Sequence, residues 1–218
     1  MLIEQLISRV PIMAILRNYD PEQAVALASR AWDLGIDLVE VPAQVPHAFA
    51  TLDSVVRAGV ERRKSVGAGS VTTVEQLRQV VQRPVAFTVA PGLNPEVIRS
   101  SDEMGVPHLP GVSTPTEIQC ATRLGCTWLK AFPASVLGAE WFRAMSGPFP
   151  GVSFVATGGI DANNAPQFLT AGARTVAVGS ALADPSQIEL LARMVSSRSG
   201  VEGRDTGSSE GSSIGTTT

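Results

Sequence analysis

Lysine is nearly absent: the 218 residues contain two, Lys64 and Lys130, against 15 arginines. Cysteine and histidine are as scarce, with Cys120, Cys126, His47 and His108 the only ones. Two cysteines without a CxxC pair or a nearby histidine cluster make neither a zinc motif nor a disulfide scaffold, and both are read as buried, reduced thiols. His47 and His108 lie far apart with no metal-ligand spacing, so they are read as incidental and no metal is expected. Positive charge is not in excess either. The balance of 17 Lys+Arg against 20 Asp+Glu leaves −3, whereas binding a nucleic-acid backbone needs a basic face. No apolar run reaches the length of a signal h-region or a membrane span, and the opening MLIEQLISRVP carries Glu4 inside its apolar pattern. The expectation is a cytoplasmic protein that meets neither nucleic acid nor membrane and acts on a small molecule.

What is present is a regular alternation. From Val10 to Val195 short apolar runs alternate with longer amphipathic stretches, the pattern of repeated βα units around a parallel sheet. Eight runs read as strands: residues 12–17, 38–43, 65–71, 86–91, 106–112, 127–132, 153–159 and 175–181. Asp20-Pro21-Glu22-Gln23 and Thr114-Pro115-Thr116-Glu117 each supply an N-cap, proline at the first helical position and a capping-box partner; Thr72-Thr73-Val74-Glu75 has the box without the proline. Gly35, Gly105, Gly125 and Gly172 fall where a left-handed residue ends a helix. Eight units are the closing number for a barrel, and no GxGxxG follows the first run, so a (β/α)8 TIM barrel is expected rather than an open doubly wound sheet. Residues 2–9 read as a short helix covering the bottom of the barrel, with Leu2, Ile3, Leu6 and Ile7 on one face. The barrel domain is expected over 1–196. Residues 197–218 read as a disordered tail, since Gly, Ser and Thr fill 14 of the last 20 positions.

Lys130 interrupts the apolar strand Thr127-Trp128-Leu129-Lys130-Ala131-Phe132. Strand alternation places Trp128, Lys130 and Phe132 on one face, taken as the inner one. An amine attacks a carbonyl only when neutral, and a lysine pKa of about 10.4 leaves almost none free near neutrality, so a nucleophilic lysine needs desolvation or a nearby cation. The aromatic flanks supply desolvation. A snorkelling lysine, or one paired with Glu40 for structure alone, fits the spacing equally well. Glu40 is the single charge inside Leu38-Val39-Glu40-Val41-Pro42 and suits a general acid/base or a structural ion pair. Arg17 closes the first strand, where side chains emerge at the catalytic mouth; its guanidinium suits a carboxylate and would favour a neutral Lys130. Thr157-Gly158-Gly159 and Gly179-Ser180 follow the seventh and eighth strands, where backbone N–H groups and a following helix N-terminus can hold a phosphate. Gly67-Ala68-Gly69-Ser70 can bring backbone and the Ser70 hydroxyl close to a substrate carboxylate, or merely allow close packing.

Several of these segments resemble one family together, the 2-keto-3-deoxy-6-phosphogluconate and 4-hydroxy-2-oxoglutarate aldolases, across residues 2–196. Leu129-Lys130-Ala131-Phe132-Pro133-Ala134 resembles its Schiff-base motif and Val39-Glu40-Val41 its acid/base site. Gly67-Ala68-Gly69-Ser70-Val71, Ala90-Pro91-Gly92 and the run from Pro110 to Glu117 are similar to three further family segments. The resemblance implies a class I aldolase with Lys130 as imine-forming lysine, Glu40 as proton shuttle and Arg17 and Ser70 at the substrate carboxylate. It places phosphate at Gly158, Gly159, Gly179 and Ser180, with Pro91, Phe132 and Thr157 completing the lining. It implies a 2-oxo acid phosphosugar substrate, no cofactor and a homotrimer. The galactonate branch of the family shows Pro-Leu-Asn after the glutamate, close to Pro42-Ala43-Gln44 here, and Ser135 replaces a frequent glutamate. Gly147-Pro148-Phe149 and Ala156-Thr157-Gly158-Gly159-Ile160 look more like the gluconate branch. A phosphosugar isomerase on the same barrel and a non-catalytic scaffold are the rival readings.

Overall fold

A computed structural model of the chain describes residues 3–8, 10–45 and 48–199. Its strands are β1 (Ile12–Ile15), β2 (Leu38–Pro42), β3 (Ser65–Gly69), β4 (Phe87–Val89), β5 (His108–Leu109), β6 (Gly111–Val112), β7 (Trp128–Ala131), β8 (Ser153–Thr157) and β9 (Thr175–Val178). The helices are α1 (Ile3–Ile7), α2 (Pro21–Asp33), α3 (Ala48–Arg62), α4 (Val74–Val80), α5 (Pro95–Glu103), α6 (Pro115–Arg123), α7 (Ala134–Leu137), α8 (Ala139–Ser146), α9 (Ala165–Thr170) and α10 (Pro185–Ser199). All strand pairs are parallel, in the order β5-β4-β3-β2-β1-β9-β8-β7-β6.

The fifth expected run is split by Pro110, which has no N–H for the ladder. Its first half pairs with β4 through His108 and Leu109, and its second half pairs with β7 through Gly111 and Val112. The two ends of the strand order are therefore one stretch of chain, and the sheet curls into the expected (β/α)8 TIM barrel. Every run is shorter than its apolar pattern; all but the fifth lose residues at the C-terminal end, toward the mouth, and the fifth loses Val106 and Pro107 at its start.

Helix punctuation follows the side chains. Asp20 accepts from the Gln23 N–H at 2.8 Å, and Thr114 and Glu117 form a reciprocal capping box. The box expected at Thr72 and Glu75 is displaced by one residue: Thr73 caps α4 and Gln76 answers it. The Gln76 carbonyl also accepts from the Thr72 N–H and hydroxyl, which fixes that register, and Glu75 instead accepts from Gln79. Gly35, Gly105, Gly125 and Gly172 all have positive φ at helix ends, as expected.

Two apolar layers result. One lies between strands and helices; the other fills the barrel lumen, where Ile7 of α1 joins Met13, Leu38, Phe87, Leu109, Trp128 and Val155. Ile7 is fully buried, so the short first helix does plug the bottom. Leu2 and Arg9 of the expected helix, and His47, lie outside the described residues. On the outer layer Trp141, Phe142, Phe154 and Phe168 meet edge to face at centroid distances of 5.1 to 6.1 Å, locking α8 and α9 onto β8. That cluster steadies the strand whose end carries Thr157, Gly158 and Gly159.

The cysteine reading needs correcting. Both thiols are free, but Cys120 is exposed and Cys126 half-buried. Ile118 and Ala121 are the buried positions of α6, and Cys120 projects from the opposite face. At the other end of the chain α10 runs to Ser199, past the expected boundary at 196, and the expected tail from Gly200 onward lies outside the described residues. No helix is long and apolar enough to cross a membrane among the described residues.

Candidate active site

Strand parity builds the site. Ile15, Leu38, Val89, Trp128, Val155 and Ala177 all point into the lumen. Two residues further along each strand, on the same face, come Arg17, Glu40, Pro91, Lys130, Thr157 and Gly179. Six positions spread over 160 residues of chain thus meet at one mouth.

Lys130 is only 2% exposed, and its Nζ lies 5.2 Å from the Phe132 ring centroid. Burial lowers its pKa from the ordinary lysine value; the Glu40 carboxylate acts in the opposite sense, and the Arg17 guanidinium lowers it again. The result is an amine held toward its neutral, nucleophilic form.

Glu40 is fully buried, and among the described residues neither carboxylate oxygen has a hydrogen-bond partner. A buried carboxylate without hydrogen-bond partners is costly, and its oxygens are uncommitted to the surrounding protein. Its place is cleared by β3. A Cβ on Gly69 would lie 1.8 Å from Glu40 Oε1, and one on Gly67 would lie 2.4 Å from the Phe87 ring. The glycines of Gly67-Ala68-Gly69 therefore make room for Glu40 and Phe87, the close packing expected of small residues, here by side chains of neighbouring strands. Ser70 follows with φ +61, a left-handed conformation at the exit of β3.

A cavity of about 490 Å³ opens at the same mouth, lined by Arg17, Phe132 and Thr157 together with the turns at Gly158-Gly159 and Gly179-Ser180. Seven of the expected site residues thus share one cavity. Lys130, Glu40, Ser70 and Pro91 are not part of its lining. Ser70 follows Gly69 beside Glu40, and Pro91 lies against Gly111, the register partner of Lys130. Arg17 lines the cavity together with the glycine turns and with Asn18, Tyr19 and Asp161, three lining residues that the sequence reading missed.

The glycine turns present backbone. Gly158 and Gly159 have φ +98 and +69, and among the described residues the N–H groups of Gly158, Gly159, Ile160 and Gly179 donate to nothing. Of the helix starts expected there, α9 begins only at Ala165, whereas a single 3-10 turn, Ser180–Leu182, begins directly after Gly179. Unpaired N–H groups, the buried Thr157 hydroxyl and the Arg17 guanidinium make this end of the site suited to an anion. Among the described residues no group of three or more His, Cys, Asp or Glu side chains is arranged to hold a metal. His108 instead shares a 2.8 Å hydrogen bond through Nδ1 with the Thr88 hydroxyl, away from the mouth.

Comparison with known proteins agrees with this architecture. A "Probable 2-dehydro-3-deoxy-6-phosphogalactonate aldolase" of Rhizobium meliloti is 34% identical over 179 residues, 80% of this chain and 82% of that protein. A "2-dehydro-3-deoxy-phosphogluconate aldolase" of Treponema pallidum is 34% identical over 186 residues, 83% and 85% of the two chains. The crystal structure of KDPG aldolase from Legionella pneumophila, with pyruvate captured as a covalent carbinolamine, superposes with TM-score 0.76 at 27% identity, covering 88% of this chain and 95% of that one. The family described as "KDPG and KHG aldolase" matches residues 3–193, and the chain belongs to it.

Proposed function

We propose that the protein is a class I aldolase that reversibly cleaves 2-keto-3-deoxy-6-phosphogluconate to pyruvate and glyceraldehyde 3-phosphate, without a metal or organic cofactor. The observation that carries this reading is the pairing of a buried lysine, held toward neutrality, with a buried carboxylate that has no hydrogen-bond partner among the described residues, at the mouth of one barrel. Neutral Lys130 attacks the C2 carbonyl, and Glu40 delivers the proton that lets water leave the carbinolamine. The Glu40 carboxylate left behind takes the C4 hydroxyl proton, the C3–C4 electrons flow into the iminium, and the aldehyde departs. Glu40 protonates C3 of the remaining enamine, and hydrolysis frees pyruvate and the amine. Arg17, expected at the substrate carboxylate, lines the cavity of the glycine turns and is assigned with them to the phosphate end; Ser70 and Pro91 flank the reacting end. The pyruvate carbinolamine captured in the Legionella relative supports the covalent route.

Borohydride reduction in the presence of pyruvate should leave a covalent adduct on Lys130, located by peptide mass spectrometry. Folded protein without that adduct would sink the proposal. Turnover surviving in Lys130→Arg would favour an isomerase that needs no imine, and absence of both adduct and turnover in a stable oligomer would favour a scaffold.

The galactonate epimer is the second reading, favoured by the Rhizobium relative and by Pro42-Ala43-Gln44. Pyruvate release from each epimer separates the two. A phosphorylated sugar acid does not cross membranes unaided, which fits a cytoplasmic location. The family resemblance supports a homotrimer, to be checked by sedimentation, with residues 1–196 as the catalytic domain.

A further inference from the structure

The twin-glycine turn after β8 is tied at both of its carbonyls. Gly158 O accepts from the Ser135 N–H at 3.0 Å, and Gly159 O accepts from Asn164 Nδ2 at 2.8 Å. In a trans peptide the C=O and the next N–H point in opposite directions, so fixing a carbonyl aims the following N–H. The Ser135 bond therefore aims the Gly159 N–H, and the Asn164 bond aims the Ile160 N–H. Ile160 lines the cavity that holds Arg17 and both glycine turns, and its N–H donates to nothing among the described residues.

Asn164 gives up another role to do this. It stands at the N-cap of α9, where asparagine is a favoured capping residue, yet its side chain makes no cap hydrogen bond. Its amide instead reaches back five residues to Gly159 O, while its own Oδ1 accepts from the Asp161 N–H at 3.0 Å. Asp161 Oδ1 in turn accepts from the N–H groups of Asn163 and Asn164. The loop is thus built around holding one peptide. Gly159, at positive φ, has the backbone freedom to let that peptide turn over, which would present a carbonyl oxygen to an anion and repel it.

We infer that the Ile160 N–H is a further donor to the substrate phosphate, and that Asn164 is the positioning residue that holds it there. This rests on the aldolase reading above. Replacing Asn164 should therefore affect the phosphorylated end of the reaction and leave the pyruvate end alone. A hydrogen bond to a charged group corresponds to about a ten- to hundredfold change in affinity.

The test compares wild type with Asn164→Ala and with Asn164→Asp, which keeps the acceptor for Asp161 but cannot donate to Gly159. The expected result is a rise of about ten- to hundredfold in KM for the phosphorylated substrate. Borohydride trapping of pyruvate on Lys130 and kcat/KM for unphosphorylated 4-hydroxy-2-oxoglutarate should stay at wild-type values. Equal losses on both substrates would overturn the inference as a general folding defect, and no change on either would overturn it outright. If wild type itself shows no preference for the phosphorylated substrate, the phosphate reading has failed before Asn164 is in question. Independently of any variant's folding, titrating wild type with inorganic phosphate should shift the amide resonance of Ile160 along with those of Gly158 and Gly159. A response of the glycines without Ile160 would overturn the added donor.

Discussion

Gly69→Ala should disable the chemistry without removing any functional group. The added methyl would sit 1.8 Å from Glu40 Oε1, 2.5 Å from Cδ and 2.8 Å from Cγ, distances at which something must move. The glycine has no positive φ, so its backbone accepts alanine without strain. The carboxylate is therefore what gives way, and an ordinary contact of about 3.5 Å requires it to retreat by more than 1 Å. A misplacement of about 1 Å can cost about a hundredfold in rate, and general acid/base catalysis is worth about 10²- to 10⁴-fold in all. We expect kcat to fall about a hundredfold, with KM changed little, since the phosphate end lies across the mouth. Overpacking should also cost about 1–3 kcal/mol, measurable by urea unfolding. The double variant Gly69→Ala with Glu40→Ala, which removes Cγ, Cδ and both oxygens, should recover part of the lost stability. Steady-state kinetics of pyruvate release provide the assay. A folded Gly69→Ala enzyme with wild-type kcat would refute the view that Gly69 sets the position of Glu40.

Two further outcomes follow from the titrating groups. Arg17 lowers the Lys130 pKa and Glu40 raises it, so Arg17→Gln should move the pH dependence of pyruvate trapping to higher pH and Glu40→Gln to lower pH. Shifts in the same direction would contradict this electrostatic arrangement. His108 is buried, and that burial pushes its pKa down to about 4. The folded state therefore resists protonation that the unfolded chain accepts from about pH 6.5 downward, and stability present above that pH is lost as the pH falls toward 4. At pH 4.5 this loss should amount to about 2–3 kcal/mol, and His108→Gln should abolish that part of the acid sensitivity. Urea unfolding at pH 7.5 and 4.5 measures it, and identical pH dependence in the two proteins would refute it.

Much of the site was legible because strand parity is a local rule. Trp128, Lys130 and Phe132 share a face by spacing alone, and the lumen-facing apolar cluster includes Trp128. Glycine at helix ends and proline after an N-cap were legible for the same reason, since each acts within one turn of chain. Pro110 was visible too, but its effect was not. A proline inside an apolar run only shows that one ladder bond is missing, whereas the division of the fifth run between two neighbours depends on how the sheet closes.

What escaped the sequence depends on register between distant strands. Gly67 pairs with Glu40, and Gly69 with Pro42, across 27 residues of chain, and only that register sets the second glycine against the carboxylate. Read alone, Gly67-Ala68-Gly69 says that something comes close, without saying what. Arg17 is similar: its strand-end position was plain, but barrel closure decides that it shares a cavity with Gly158 and Gly179, because β1 pairs with β9 and β9 with β8. Asn164 lies between these cases. Asp161 and Asn164 are three apart after two glycines, a spacing at which short polar side chains bond to nearby backbone. The pattern signals a built turn, and the structure adds which peptide it holds. Where a residue acts through its neighbours in sequence, its role can be read from the chain; where it acts by leaving space for a residue on another strand, the role appears only once the strands are paired.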